Sequence, residues 1–263
     1  MLMVKAAWDY RHFIMSSIKA EMGGRYARSR LGALWFILHP LATAAVLALV
    51  LSQFLGSRLP GIESKFAYAV YLLSGMVGWS LFAETTQGCI TMFRDRANLL
   101  KKVSFPKICI PLIVVGTTVI NHLLFILVVV LLVWLLGVPP SSSLLMLPVF
   151  ILLSLGLAVG IGLTLSVFDV FNRDVGNIWQ IVIQFWFWLT PIVYVFSTLS
   201  NDIAVFMQYN PMMWVIQGYQ QAIAYQTISA SVELLWVAGL ALWFLVIGFC
   251  FFMRANSDIV DEL

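Results

Sequence analysis

The chain has 263 residues, of which 62% are hydrophobic and only 10% charged, with a formal net charge of +3. Soluble globular chains carry roughly a quarter charged residues, so this composition excludes a soluble globular domain and leaves no expectation of a nucleic-acid partner. It predicts an all-α membrane protein: a hydrocarbon core of about 30 Å needs about 20 helical residues, and windows of that length free of Lys and Arg recur six times.

The predicted spans are residues 34–55, 66–86, 108–136, 144–165, 178–196 and 234–252. They form one transmembrane domain over 1–263, made of a basic entry (1–33), a six-span bundle (34–252) and a short tail (253–263). Lys5, Arg11, Lys19, Arg25, Arg28 and Arg30 precede the first span. Arg94, Arg96, Lys101, Lys102 and Lys107 follow the second, and Arg173 and Arg254 lie on the same face. Only Arg58 and Lys65 fall opposite. Because positive residues are retained inside, both termini are expected in the cytoplasm of a multi-pass inner-membrane protein.

In chain order, the entry comes first. It lacks the apolar core and small-residue cleavage site of a secretory signal, so it is expected to stay on the protein. From Trp8 to Met22, residues Ile14, Ile18 and Met22 make an apolar stripe that suits a helix lying among lipid headgroups, with Gly23-Gly24 ending it. The sequence RYARSRLGALWFILHP (25–40) then turns into the bilayer. Arg25 and Arg28 are three apart and share a helical face, which suits joint binding of an anionic headgroup. The plainer reading is topological anchoring, at about 1 kcal/mol per residue against acidic lipid.

Between the second and third spans, Arg94, Arg96, Lys101 and Lys102 surround Leu99-Leu100. Two readings stand: an amphipathic helix that buries its leucines in a partner's groove, or a solvated basic loop. Within the fourth span, Gly156, Gly160 and Gly162 offer a small-residue surface for close helix contact, inside the subunit or at a dimer seam. Beyond it, Asp169, Arg173 and Asp174 would each cost about 2.5–3.5 kcal/mol at mid-bilayer. That turn is therefore placed at the inner interface, with Asp169 and Arg173 spaced i,i+4 for an exposed ion pair.

The fifth span carries Phe185, Trp186, Trp188 and Tyr194. Rings in mid-span that surround the helix must partly face protein or a lumen, where aromatic surfaces suit a sliding sugar chain; helix packing is the commoner use. The segment 197–233 has no Lys or Arg. Asn210-Pro211 reads as a helix start, after which Met212, Val215, Ile216, Tyr219 and Ile223 form an apolar face and Gln217, Gln220 and Gln221 a polar one. A short interfacial or re-entrant helix is predicted there, its amides either solvated or suited to hydroxyl-rich ligands.

Several chemistries find no support. None of the six lysines follows a glycine, so there is no phosphate-binding Gly-Lys-Ser/Thr and any ATP and Mg must be held by another chain. His12, His39 and His122 are scattered, so no metal site is expected, and Cys89, Cys109 and Cys250 read as inert. A Ser80 nucleophile with a His122 base is disfavoured, because the predicted topology separates them in depth by about 12 Å, where such a dyad needs about 3 Å.

Taken together, RYARSRLGALWFILHP (25–40), NLLKKVSFP (98–106), FNRDVGNIW (171–179) and NPMMWVIQGYQ (210–220) resemble, in order, stretches of the ABC-2 type permeases that export polysaccharides. The resemblance implies a permease subunit without ATPase activity of its own, which dimerises and joins two ATP-binding cassette subunits. It also implies a substrate such as undecaprenyl-pyrophosphate-linked O-antigen, capsule or teichoic acid polymer. By the same resemblance the N-terminal helix and residues 92–106 meet the ATPase, and the external helix forms part of a gate. The family commonly has an acidic residue and an arginine in that helix, where this chain has Gln217 and Gln220, so a charged gate does not carry over. The alternative within the same plan is an exporter of a small hydrophobic drug or lipid. A secondary carrier, which would ordinarily show internal repeats, is a third reading.

Overall fold

The structure, a computed structural model, describes residues 2–27, 34, 38, 42, 46, 66–103, 105–228 and 231–255. The predicted first span lies outside the described residues apart from four isolated positions, as does Arg28. The helices are α1 (Leu2–Asp9), α2 (Arg11–Ala27), α3 (Ala67–Asp95), α4 (Ala97–Lys102), α5 (Cys109–Leu135), α6 (Leu147–Phe171), α7 (Asp174–Trp188), α8 (Asn201–Met207), α9 (Pro211–Gln220) and α10 (Glu233–Ala255). Among the described residues there is no strand.

Among the described residues, three stretches are long and apolar enough to cross a membrane: α5, α10, and the run Ser142–Phe171 that contains α6. Helix α3, with 29 residues, has ample length at about 1.5 Å per residue, but its polar residues lower its hydropathy. Those polar groups are turned inward: Ser74, Thr85 and Thr86 are fully buried.

Helix α6 packs between α3 and α10 at the centre of the bundle. The predicted small-residue surface is spent here, inside the subunit. A Cβ at Gly160 would lie 2.5 Å from the Phe244 carbonyl carbon in α10, while one at Gly156 would meet Ala241 at 3.1 Å. Such spacing lets two backbones touch, and contact of this kind holds apolar helices together where water cannot drive them.

The N-terminal helix differs from its prediction in two ways. It is broken at Tyr10, and α2 continues through Gly23-Gly24 to Ala27. Ile18 is buried against Gly116 of α5, and Phe13 meets Phe105 at 4.9 Å between ring centroids. These anchors fix the helix on the N-terminal side of the glycines, and its backbone runs on through them.

The predicted fifth span also differs. Helix α7 starts earlier, at Asp174, and stops at Trp188. Pro191 has no N–H to give and disfavours a helical residue before it, and the chain turns with Ile192 N–H bonded to Thr190 C=O at 2.7 Å. Residues 189–195 are irregular rather than a continuation of the span.

Candidate functional site

Two constellations stand out, one at each end of the bundle. At the basic end, α3 closes with Arg94 and Arg96, which reach in different directions. Arg94 Nη1 donates to Asp169 Oδ1 of α6 at 3.0 Å and lies 2.9 Å from Oδ2 as an ion pair, and the Gly176 N–H of α7 donates to the same Oδ1 at 3.0 Å. Asp169 is only 1% exposed, so three helix ends converge on one buried carboxylate. Arg96 pairs with Glu21 of α2, its Nε 3.0 Å from Oε1, while Thr117 of α5 donates to Oε2 at 3.3 Å.

The expected Asp169–Arg173 pair is therefore corrected: Asp169 belongs to Arg94. Helix α6 ends at Phe171 and Asn172 is extended, so the four-residue helical spacing that would align Asp169 with Arg173 is never realised. Only the Arg173 carbonyl takes part, accepting from Arg94 at 3.5 Å. Asp174 opens α7, its N–H bonded to the Asn172 side chain.

The predicted leucine knob is corrected as well. After the break at Arg96 the short α4 folds back, and Leu100 packs into the subunit's own cluster with Cys89, Met92, Phe93 and Phe252. Leu99 is half-buried, whereas Lys101, Lys102 and Val103 are exposed. Of the basic quartet, the two arginines are occupied internally and the two lysines project outward.

At the far end, the irregular segment after α7 has its carbonyls covered by side chains. Tyr68 Oη donates to Val193 C=O at 2.6 Å, and Tyr71 Oη lies 3.2 Å from Pro191 C=O and 3.1 Å from Tyr194 C=O. Gln220 Nε2 donates to Pro191 C=O at 3.0 Å. Unpaired backbone is costly away from water, and these three side chains remove that cost.

Asn210 ties this segment to α9. Its Oδ1 accepts from Met212 N–H and Trp186 Nε1, both at 3.0 Å, while its Nδ2 donates to Thr190 Oγ1 at 3.0 Å and Leu189 C=O at 3.3 Å. The expected N-cap is in place with Pro211 in the first turn, and it does more than cap. The apolar face is buried as expected: Met212, Val215, Ile216, Tyr219 and Ile223 are at most 3% exposed. Gln220 is buried too, while Gln217 and Gln221 are half-buried.

The α7 aromatics divide. Trp186 packs inward against Trp79, Phe82 and Trp179, whereas Phe185 and Trp188 are exposed. Tyr194 Oη donates to Trp188 C=O at 3.1 Å. Ser80 Oγ donates to Val77 C=O, and His122 Nε2 is 2.8 Å from Tyr219 Oη. The Arg25 backbone continues α2.

A family profile described as ABC-2 type transporter matches residues 13–224. The chain belongs to the ABC-2 type transporter family. It is 28% identical over 249 residues to an O-antigen export system permease protein of Myxococcus xanthus, covering 90% of this chain and 93% of that one. It is 26% identical over 241 residues to the O-antigen export system permease protein of Klebsiella pneumoniae, covering 91% and 90%. A polysialic acid transport protein of Escherichia coli is 22% identical over 246 residues, covering 92% and 93%.

In this ABC-2 chain the sequence singled out Arg94, Arg96, Asp169, Asn210 and Gln220 but not the bonds they make. Glu21, Tyr68, Tyr71 and Thr190 had no motif to announce them. The available signal was chemical: an irregular segment after Pro191 inside an apolar chain implies side-chain donors nearby.

Proposed function

We propose that the chain is the membrane permease subunit of an ABC exporter that moves a lipid-linked polysaccharide, O-antigen above capsule or teichoic acid polymer, out of the cytoplasm. The observation that carries this is similarity across nine-tenths of the chain to proteins named as O-antigen export permeases. In this reading two copies enclose the path, six spans cross the inner membrane, both termini are cytoplasmic, and two separate subunits bind ATP and Mg. The absence of a Gly-Lys-Ser/Thr sequence agrees with an external energy source.

The structure refines which residues suit each role. Exposed Lys101 and Lys102 beside Val103 suit the ATPase contact, while Arg94 and Arg96 support that corner from within. Exposed Phe185 and Trp188 suit the translocation path better than inward-packed Trp186, with Tyr194 bracing the turn. Asn210, Pro211, Gln217, Gln220 and Gln221 supply the external helix. Arg25 and Arg28 remain the proposed contacts for the pyrophosphate headgroup.

The test is deletion of the gene followed by extraction of lipid-linked glycan. Accumulation inside the cell with loss of surface polymer supports the reading; unchanged surface polymer refutes it. A drug or lipid exporter is the second reading, favoured by an apolar groove of about 410 Å3 bordered by Ile108, Leu112, Leu163, Leu245 and Phe249. Unchanged glycan with raised drug sensitivity on deletion would select it.

A further inference from the structure

Between α3, the irregular segment after α7, and the end of α9 lies a cleft of about 350 Å3, within the roughly 300–1,000 Å3 usual for small-molecule sites. Its lining divides into committed and uncommitted groups. Tyr71 and Gln220 are committed, since both donate to the Pro191 carbonyl. Gly75 makes room for this: a Cβ there would lie 2.9 Å from Gln220 Nε2.

Gln217, Gln221 and Tyr225 are half-buried in the same cleft, with Ser197 and Thr227 exposed at its rim. Among the described residues, none of these five side chains has a hydrogen-bond partner. None of the described lining residues is Asp, Glu, Lys or Arg. The backbone here is unusual as well. Residues Gln221–Tyr225 form a π turn ending at Gln226 with φ +54°, closed by Thr227 N–H to Gln221 C=O at 3.0 Å. A π turn stacks residues five apart and marks functional sites more often than chance. Here it sets Tyr225 over Gln220 and beside Gln221, its ring edge-on to Tyr71 at 6.2 Å.

We propose that this cleft is a binding site for one neutral sugar unit on the external side, with the Gln217 and Gln221 carboxamides bonding its hydroxyls and the Tyr225 ring covering its C–H surface. A carboxamide offers two donors and an acceptor, matching the mixed character of a sugar hydroxyl. An acidic sugar would find no Lys or Arg among the described lining residues, so its charge would lose water there without compensation from them. The inference rests on the polysaccharide-export reading and on the far end of the bundle being external. Within that reading, the cleft holds a passing residue of the polymer after it has cleared the membrane.

The test uses the full-length chain in nanodiscs and saturation-transfer NMR with maltotriose and mannotriose as neutral probes and trisialic acid as an acidic one. Saturation transfer to a neutral trisaccharide is expected, with none to trisialic acid. Gln217→Leu with Gln221→Leu should weaken neutral binding about tenfold, as loss of two neutral hydrogen bonds implies, without lowering the melting temperature. Should the double variant melt early, Gln217→Leu alone carries the comparison. No neutral binding, equal binding by the variants, or equal binding of trisialic acid overturns the proposal. Surface glycan separates the two levels. A deletion strain that still displays polymer sinks the export reading, whereas loss of polymer on deletion, with wild-type binding and export by the variants, sinks the cleft alone.

Discussion

Asp169 is a charge that the bundle buries almost completely, and Arg94 is what makes that tolerable. Removing one partner of such a pair leaves an uncompensated charge and costs several kcal/mol, whereas replacing both is often neutral. Arg94→Ala is therefore expected to destabilise the detergent-solubilised protein by about 3 kcal/mol, and Arg94→Ala with Asp169→Asn to recover most of it, measured as unfolding midpoints. A double variant as unstable as the single would deny the pairing. Asn210 is the second residue on which separate parts depend. Asn210→Ala removes the cap of α9, about 1–2 kcal/mol, and frees Trp186 Nε1, so a lower melting temperature should accompany a shift in tryptophan emission. That Asp169 could not sit at mid-bilayer was legible from its charge. Its partner was not, because Arg94 lies 75 residues away and the nearer Arg173 has the helical spacing but not the helix.

Helices meet in this bundle through small residues, and the glycines of the two central helices are not equivalent. At Gly160 an added methyl would strike the α10 backbone, whereas at Gly239 nothing lies within 4 Å. Gly160→Ala should thus lower the melting temperature, and Gly239→Ala should hold or raise it, since a mid-helix glycine costs roughly 0.5–1 kcal/mol relative to alanine. Equal effects at the two positions would contradict the close α6–α10 contact. Element existence was well foretold for α5, α6, α9 and α10 because their apolar runs and caps are continuous in sequence. Element ends were not. Gly23-Gly24 reads as a stop, yet a glycine costs only about 1 kcal/mol inside a helix, too little to end one by itself. The apolar composition of the fifth span continues past Pro191 and extends the predicted span, although the proline alone argues for a break.

For the whole molecule, the separation of exposed lysines from occupied arginines gives the coupling hypothesis a sharper target. Lys101→Glu with Lys102→Glu alters only exposed side chains, so the permease should fold and purify normally. Surface polymer should nevertheless fall at least several-fold, and ATP hydrolysis by the partner should lose its link to export. Normal export by this variant would remove the α4 surface from the coupling path. The multi-pass helical character was legible in composition alone, and the family in four short stretches distributed along the chain. The buried polar contacts that join the helices had no local signature. The corner between α3 and α4 shows what those contacts imply. With Arg94 fastened to the start of α7 through Asp169 and Arg96 fastened to α2 through Glu21, a shove delivered to the corner from below has no slack to absorb it. Both flanks would have to travel with it, so a small stroke at the base becomes a tilt shared by the helices on either side of the corner.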